Sequence, residues 1–204
     1  MKILLCAQDD ELAEAWRSEC GALDLVTVHH GSILEADCDA VVSPANSFGF
    51  MGGGLDAVYR RHFGDDIQTV VRRRIQAHHH GELLVGTADI VETGDEGIPF
   101  LIVASTMRVP MILHDSVNAY LAARAVLILG LHGHFKDGRY AGQRISEVVD
   151  RIAMPGLGTG VGGIGAGVCA GQVRQALNDI LYKKYVTPES LAQASEDHRR
   201  LCGE

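Results

Sequence analysis

The chain has 204 residues, 47% of them hydrophobic, and a formal net charge of −8. That apolar share is ample for one sizeable core, while the acidic balance excludes a general nucleic-acid binder, which needs a cationic face to displace counterions. No apolar run is long enough to cross a bilayer as a helix, so no membrane partner is expected. Five cysteines without paired close spacing, and an N-terminus too short for a signal peptide, predict reduced thiols in the cytoplasm.

In chain order, residues 2–7 read as a strand, and Asp9-Asp10-Glu11 opens a helix to about residue 20, with its acids at the favourable N-terminal end. Residues 25–30 and 40–43 read as strands, and 55–63 and 67–78 as helices separated by Gly64-Asp65-Asp66. Strands at 88–91 and 100–105 flank a hairpin-type turn at 93–97, and 117–131 is a helix whose apolar run from 121 predicts burial. A strand at 150–155 leads to an amphipathic helix over 168–181, with Val173, Leu177, Ile180 and Leu181 at helical spacing. After Pro188 the polar stretch to residue 204 is a short helix or a loose tail. The alternation of strands and helices predicts an α/β fold, a three-layer α/β/α sandwich with a mixed, mostly parallel central sheet, in one domain over residues 1–204.

Two strand-to-helix junctions carry glycine-rich loops. Residues 43–56 read SPANSFGFMGGGLD, so Gly52, Gly53 and Gly54 stand between Asn46 and Asp56. Residues 156–167 read GLGTGVGGIGAG. Loops of this kind turn backbone N–H groups toward phosphate oxygens without needing basic side chains. In an open α/β sheet ligands bind at the carboxyl ends of strands, so two such loops on neighbouring strands would close around one polyanion. Gly158, Gly160 and Gly163 also fit G-x-G-x-x-G, but no strand ending in an acid follows, so a dinucleotide fold is not predicted. Neither a P-loop nor a G-x-S-x-G nucleophile elbow is present.

The two loops together resemble the macro domain family, the ADP-ribose-binding fold. Its first loop reads roughly N-A-A-N-S-x-x-x-G-G-G-G-V-D-x-A-I, against Ser43-Pro44-Ala45-Asn46-Ser47 and Gly52-Gly53-Gly54-Leu55-Asp56-Ala57-Val58 here. The resemblance covers about residues 24–182. It implies that ADP-ribose or an ADP-ribosylated substrate is the partner; no cofactor and no metal are expected. Asn46 would contact the distal ribose, and Asp56 would help activate a water, making these two the catalytic candidates. Ser32, Ile33, Ala45, Gly52, Gly53, Gly54, Gly156, Gly158, Thr159, Gly160, Val161 and Gly162 would line the ligand. Three activities stay open: cleavage of mono-ADP-ribosyl linkages, reading of ADP-ribose without cleavage, and phosphatase action on a phosphorylated ADP-ribose.

The chain departs from the family pattern in places. Gly31-Ser32-Ile33 stands where members commonly read G-D-I, so a hydroxyl replaces the carboxylate that accepts the adenine amino proton, unless Asp37 or another nearby acid reaches it. Ser43 replaces the first Asn, and Val161 or Ile164 takes the place of the usual loop-2 aromatic. Gly162 and Gly163 stand where another branch has a catalytic Asp, and Lys2, Lys136, Lys183 and Lys184 offer no counterpart to its Lys. Competing structural readings accompany several residues. Asn46 is a turn former, and Asp56 complements a helix N-terminus. Arg72, Arg73 and Arg74 form a solvated face or else contact phosphate or a partner, and Arg108 contacts phosphate or the distal ribose or else makes a loop salt bridge. Phe50 and Tyr59 flank the ribose or pack in the core, and His78, His79 and His80 cap a helix rather than bind metal.

Overall fold

The computed structural model describes residues 1–203. A six-stranded sheet runs in the order β2-β1-β6-β3-β5-β4, with β1 Lys2–Ala7, β2 Val26–His30, β3 Ala40–Asn46, β4 Ala88–Glu92, β5 Phe100–Met107 and β6 Arg151–Met154. Every pairing is parallel except β4 with β5. That one exception follows from chain length: Thr93 to Pro99 is long enough for a hairpin and too short for a crossover.

Helices cover both faces, and strand alternation decides which side chain goes where. On one face Ile3, Leu5, Ala40, Val42, Phe100, Ile102 and Ile152 pack against α1 (Asp10–Cys20), α4 (Asn118–His132) and α5 (Ala166–Ala176). On the other, Cys6, Val41, Leu101, Val103 and Ala153 pack against α2 (Gly54–Phe63) and α3 (Asp66–His79). These are the expected three layers. The alanines of α4, at 119, 122, 123 and 125, are buried and let it lie close to the sheet. No helix among the described residues is long and apolar enough to cross a membrane.

Two local differences from the sequence reading, at the end of α5 and in the arginine run, have physical causes. The helix expected over 168–181 leaves α-geometry at Leu177, where a π-turn spans Leu177–Leu181. The wider turn brings Asp179 inside, where it accepts hydrogen bonds from Tyr120 Oη (2.8 Å) and Gln175 Nε2 (2.8 Å). After Pro188, where a short helix or a loose tail was expected, the chain forms the helix α6 (Leu191–Cys202), which contributes the Leu201 carbonyl to the buried Gln172 amide on α5 at 3.0 Å. The arginine run is not a uniformly solvated face. Arg74 is 9% exposed and pairs with Asp137, with Nη1 3.8 Å from Asp89. Only Arg72 and Arg73 stay in solvent.

Candidate functional site

One cleft of about 650 Å³ opens at the carboxyl ends of β1, β2, β3, β5 and β6. Both glycine loops line it, and no lysine or arginine does.

The first loop is built on Asn46, the last residue of β3. Its Oδ1 accepts the Phe48 and Phe50 N–H groups (3.1 and 3.2 Å), and its Nδ2 donates to the Phe50 carbonyl (2.8 Å). The carboxamide therefore spans and fixes the 46–50 turn, and one Nδ2 proton has no protein acceptor among the described residues. Met51 N–H donates to Gln68 Oε1 (2.8 Å), fastening the loop to α3. Gly49 (φ +68°) is required here, since a Cβ would lie 2.8 Å from Val71. Beyond it the N–H groups of Gly52, Gly53 and Gly54 have no protein acceptor among the described residues, and they open onto the N-terminus of α2.

The second loop runs from β6 to α5. The consecutive N–H groups of Gly158, Thr159, Gly160, Val161 and Gly162 have no protein acceptor among the described residues. Gly160 and Val161 are exposed, so water can meet donors of this run, and a run of consecutive backbone N–H groups of this kind is also the arrangement that suits an anion. The N-terminus of α2, whose Gly53 and Gly54 line the cleft, adds positive partial charge on the first loop's side.

At one end Asp56 sits in the first turn of α2, 8% exposed, with Ser43 Oγ donating to its Oδ1 at 2.5 Å. Burial pushes its pKa up from the ordinary 3.8 to about 6, and the Ser43 hydrogen bond holds it back. Phe48, Phe50, Val109 and Pro110 rim this region. The Arg72 guanidinium lies 4.5 Å from the Phe50 ring centroid, and that of Arg108 lies 5.1 Å from Phe48. At the end formed by β1 and β2, Cys6, Leu12 and Ile33 supply apolar surface, and Gln8, Asp9 and Ser32 supply polar groups. Ser32 Oγ caps the short 3-10 turn Ile33–Glu35 by accepting the Leu34 N–H at 3.3 Å.

Of the residues expected in the site, Ser32, Ile33, Asn46, Gly52, Gly53, Gly54, Asp56, Gly156, Gly158, Thr159, Gly160, Val161 and Gly162 line this cleft. Ala45 does not, which corrects the expectation. Its neighbours Pro44 and Asn46 face the cleft, and strand alternation sends the Ala45 side chain into the core with Tyr59 and Val71. Tyr59 is likewise core, donating to the Val42 carbonyl at 3.0 Å. Arg108 is held by Glu82 at 2.6 Å. Gln8, Asp9 and Leu12 were missed by sequence reasoning, because only the sheet order brings the β1 end beside the β2 end. Among the described residues no group of three or more His, Cys, Asp or Glu is placed to hold a metal ion.

A family model described as a Macro-like domain matches residues 26–191. An uncharacterized protein of Aquifex aeolicus (strain VF5) is 34% identical over 145 residues, 71% of this chain and 76% of its own length. Among solved structures, the macrodomain of Mycobacterium tuberculosis DarG superposes with a TM-score of 0.57 at 23% identity, over 77% of this chain and 90% of that one. The Oceanobacillus iheyensis macrodomain, as a point mutant with ADPR, superposes with a TM-score of 0.59 at 16% identity, over 85% of this chain and 91% of that one. At these identities the two structures speak for the fold alone.

Proposed function

The chain belongs to the macro-like domain family, and from that premise we propose that its cleft binds ADP-ribose and cleaves the bond between the distal ribose and an attached acyl group. The observation that carries this reading is the two runs, 52–54 and 158–162, whose backbone N–H groups have no protein acceptor among the described residues and which line a single cleft without lysine or arginine. Such a frame favours a diphosphate, whose charge would be met by amides and by the N-terminus of α2. The distal ribose then lies toward Asp56 and Asn46, and the base toward Ser32, Ile33 and Leu12. A macrodomain of similar fold has been solved with ADPR, which supports the ligand class.

In the cleavage step the Asp56 carboxylate takes a proton from a water whose oxygen attacks the anomeric carbon. The bond from that carbon to the acyl oxygen breaks, and its electron pair leaves with the departing carboxylate. A raised carboxyl pKa suits a base working near neutrality. Ser43 positions Asp56, and Asn46 shapes the loop that covers the ribose.

A second reading is ADP-ribose recognition without cleavage. It is favoured by the Asn46 carboxamide, which is largely committed to its own turn. Calorimetric titration with ADP-ribose, AMP and NAD tests the binding: ADP-ribose should bind far more tightly than AMP, and absence of any ADP-ribose heat defeats the reading. Incubation with a peptide mono-ADP-ribosylated on glutamate separates the activities. Release of ADP-ribose that disappears in Asp56→Ala supports cleavage. Retained binding with no release leaves recognition alone.

A further inference from the structure

We infer that an exposed apolar lip along the mouth of the cleft docks the polypeptide that carries the ADP-ribosyl group, through aliphatic side chains flanking the modified residue. The inference rests on the ADP-ribose reading and names the class of partner at the ribose end of the same site.

Large apolar side chains left in solvent are ordinarily scattered singly. Here five of the eleven exposed ones among the described residues, Phe50, Val109, Met111, Ile112 and Val161, fall on three joined segments. The Ser47 N–H donates to the Met107 and Arg108 carbonyls (3.0 and 3.2 Å), which ties the turn of the first glycine loop to the start of the segment between β5 and α4. The Leu113 N–H donates to the Gly162 carbonyl (2.7 Å), which ties the same segment to the second glycine loop. Ile112 reaches that loop too, its Cδ1 lying 3.9 Å from where a Cβ on Gly163 would stand. Residues 108–113 therefore bridge the two loops, and the five side chains follow one edge.

That edge runs past the end of the ligand. Phe50, Val109 and Val161 line the cleft, whereas Met111 and Ile112 stand outside it. With the distal ribose toward Asp56 and Asn46, a group attached to its anomeric carbon leaves the cleft past Phe50 and Val109. Free ADP-ribose has no contact with Met111 and Ile112, but a chain attached to it meets them.

The chemistry of the lip favours a polypeptide over a nucleic-acid strand. A strand needs several cations to displace its counterions. The two arginines at this edge lie over its phenylalanines, Arg72 over Phe50 and Arg108 over Phe48, and Arg108 is already held by Glu82. The chain as a whole carries a formal net charge of −8. Aliphatic and aromatic surface with a polar rim is what apolar peptide side chains bury.

Calorimetric titration of the full chain tests this with free ADP-ribose and two peptides. Each peptide carries ADP-ribose through a central glutamine amide in place of the glutamate ester, so that binding is read without cleavage. One has leucine on both sides of the modified residue, the other serine. Wild type should bind the leucine peptide about tenfold more tightly than the serine peptide. In the double variant Met111→Ser, Ile112→Ser that preference should disappear, while free ADP-ribose binds as in wild type. Free ADP-ribose thus also checks the fold, and Ile112→Ser alone replaces the double variant if the latter loses it. Equal binding of the two peptides by wild type, or a preference kept in the variant, overturns this inference alone. So does tighter binding of a single-stranded oligonucleotide carrying ADP-ribose on its terminal phosphate than of the leucine peptide. Dimerisation of the free wild type on sedimentation, lost in the variant, assigns the lip to a second copy of the chain and likewise overturns it. Failure of wild type to bind free ADP-ribose overturns it together with the ADP-ribose reading.

Discussion

Asp56 carries the least comfortable charge in the cleft, and its pH behaviour separates its two roles. As a base it must be ionised, so cleavage should rise as pH passes about 6 and level off above it. Ser43→Ala removes the hydrogen bond that favours the ionised form, so the midpoint of the pH–rate profile should move upward. Stability should move the opposite way to activity. The folded pKa lies above the unfolded one, so protonation favours the folded chain. This contribution is fully present below pH 3.8 and is lost as pH rises through about 6. Holding the ionised group at pH 8 then costs up to about 3 kcal/mol. Asp56→Asn should raise the melting temperature by several degrees at pH 8 and leave it unchanged at pH 3.5; equal melting temperatures at pH 8 would show that the carboxylate is not strained. At this scale the sequence was legible where a residue's role follows from its neighbours in the chain. Asn46 with its turn and Asp56 at a helix start are such cases. It was silent where the partner is distant, as with Ser43 beside Asp56, or where strand parity decides, as with Ala45.

The two glycine loops look alike in sequence but divide their glycines differently. A Cβ added at Gly52, Gly53 or Gly160 would meet nothing within 4 Å, and none of the three needs a positive φ. A Cβ at Gly158 would come within 2.8 Å of Ile164, on backbone already at φ +72°. One at Gly162 would come within 2.5 Å of the Gly158 carbonyl. Gly158 and Gly162 are therefore needed to fold the loop, whereas Gly53 and Gly160 leave room for what enters the cleft. Gly53→Val and Gly160→Val should keep the wild-type melting temperature to within about 2 °C and lose ADP-ribose binding. Gly158→Val should lose the fold first. Wild-type affinity in both Gly53→Val and Gly160→Val would separate the loops from the ligand. The elements themselves were readable because period-2 and period-3.6 patterns are local, and the glycines mark where strands give way to helices. The π-turn at Leu177–Leu181 was not readable, since it depends on Asp179 reaching Tyr120 on another helix.

Across the whole molecule, the cleft depends on a charged cluster far from it in sequence. Asp89 on β4 is 2% exposed, and its Oδ2 meets His79 Nε2 and Lys136 Nζ, each at 2.7 Å. Burial would push this carboxyl up, but the hydrogen bonds from Lys136 and His79 outweigh it and hold the group below its ordinary range. Arg74 and His78 reach Asp137 from the same helix, so α3 is clamped to the edge strand and to the segment after α4. That helix in turn holds the first glycine loop, through Gln68 to the Met51 N–H and through Arg72 over Phe50. The sequence showed histidines and arginines in a row but not the buried acid they share, because β4 lies beside α3 only once the hairpin has formed. Asp89→Asn leaves the partly buried Arg74, His79 and Lys136 short of a counter-charge, and should cost about 3 kcal/mol at pH 7. Because the folded pKa of Asp89 lies below the unfolded one, its contribution exists above the unfolded value and fades as pH falls through the folded one. Urea unfolding should therefore separate Asp89→Asn from wild type clearly at pH 7 and much less at pH 3. A gap of the same size at both pH values would mean that the residue matters for its shape in the core rather than for its charge.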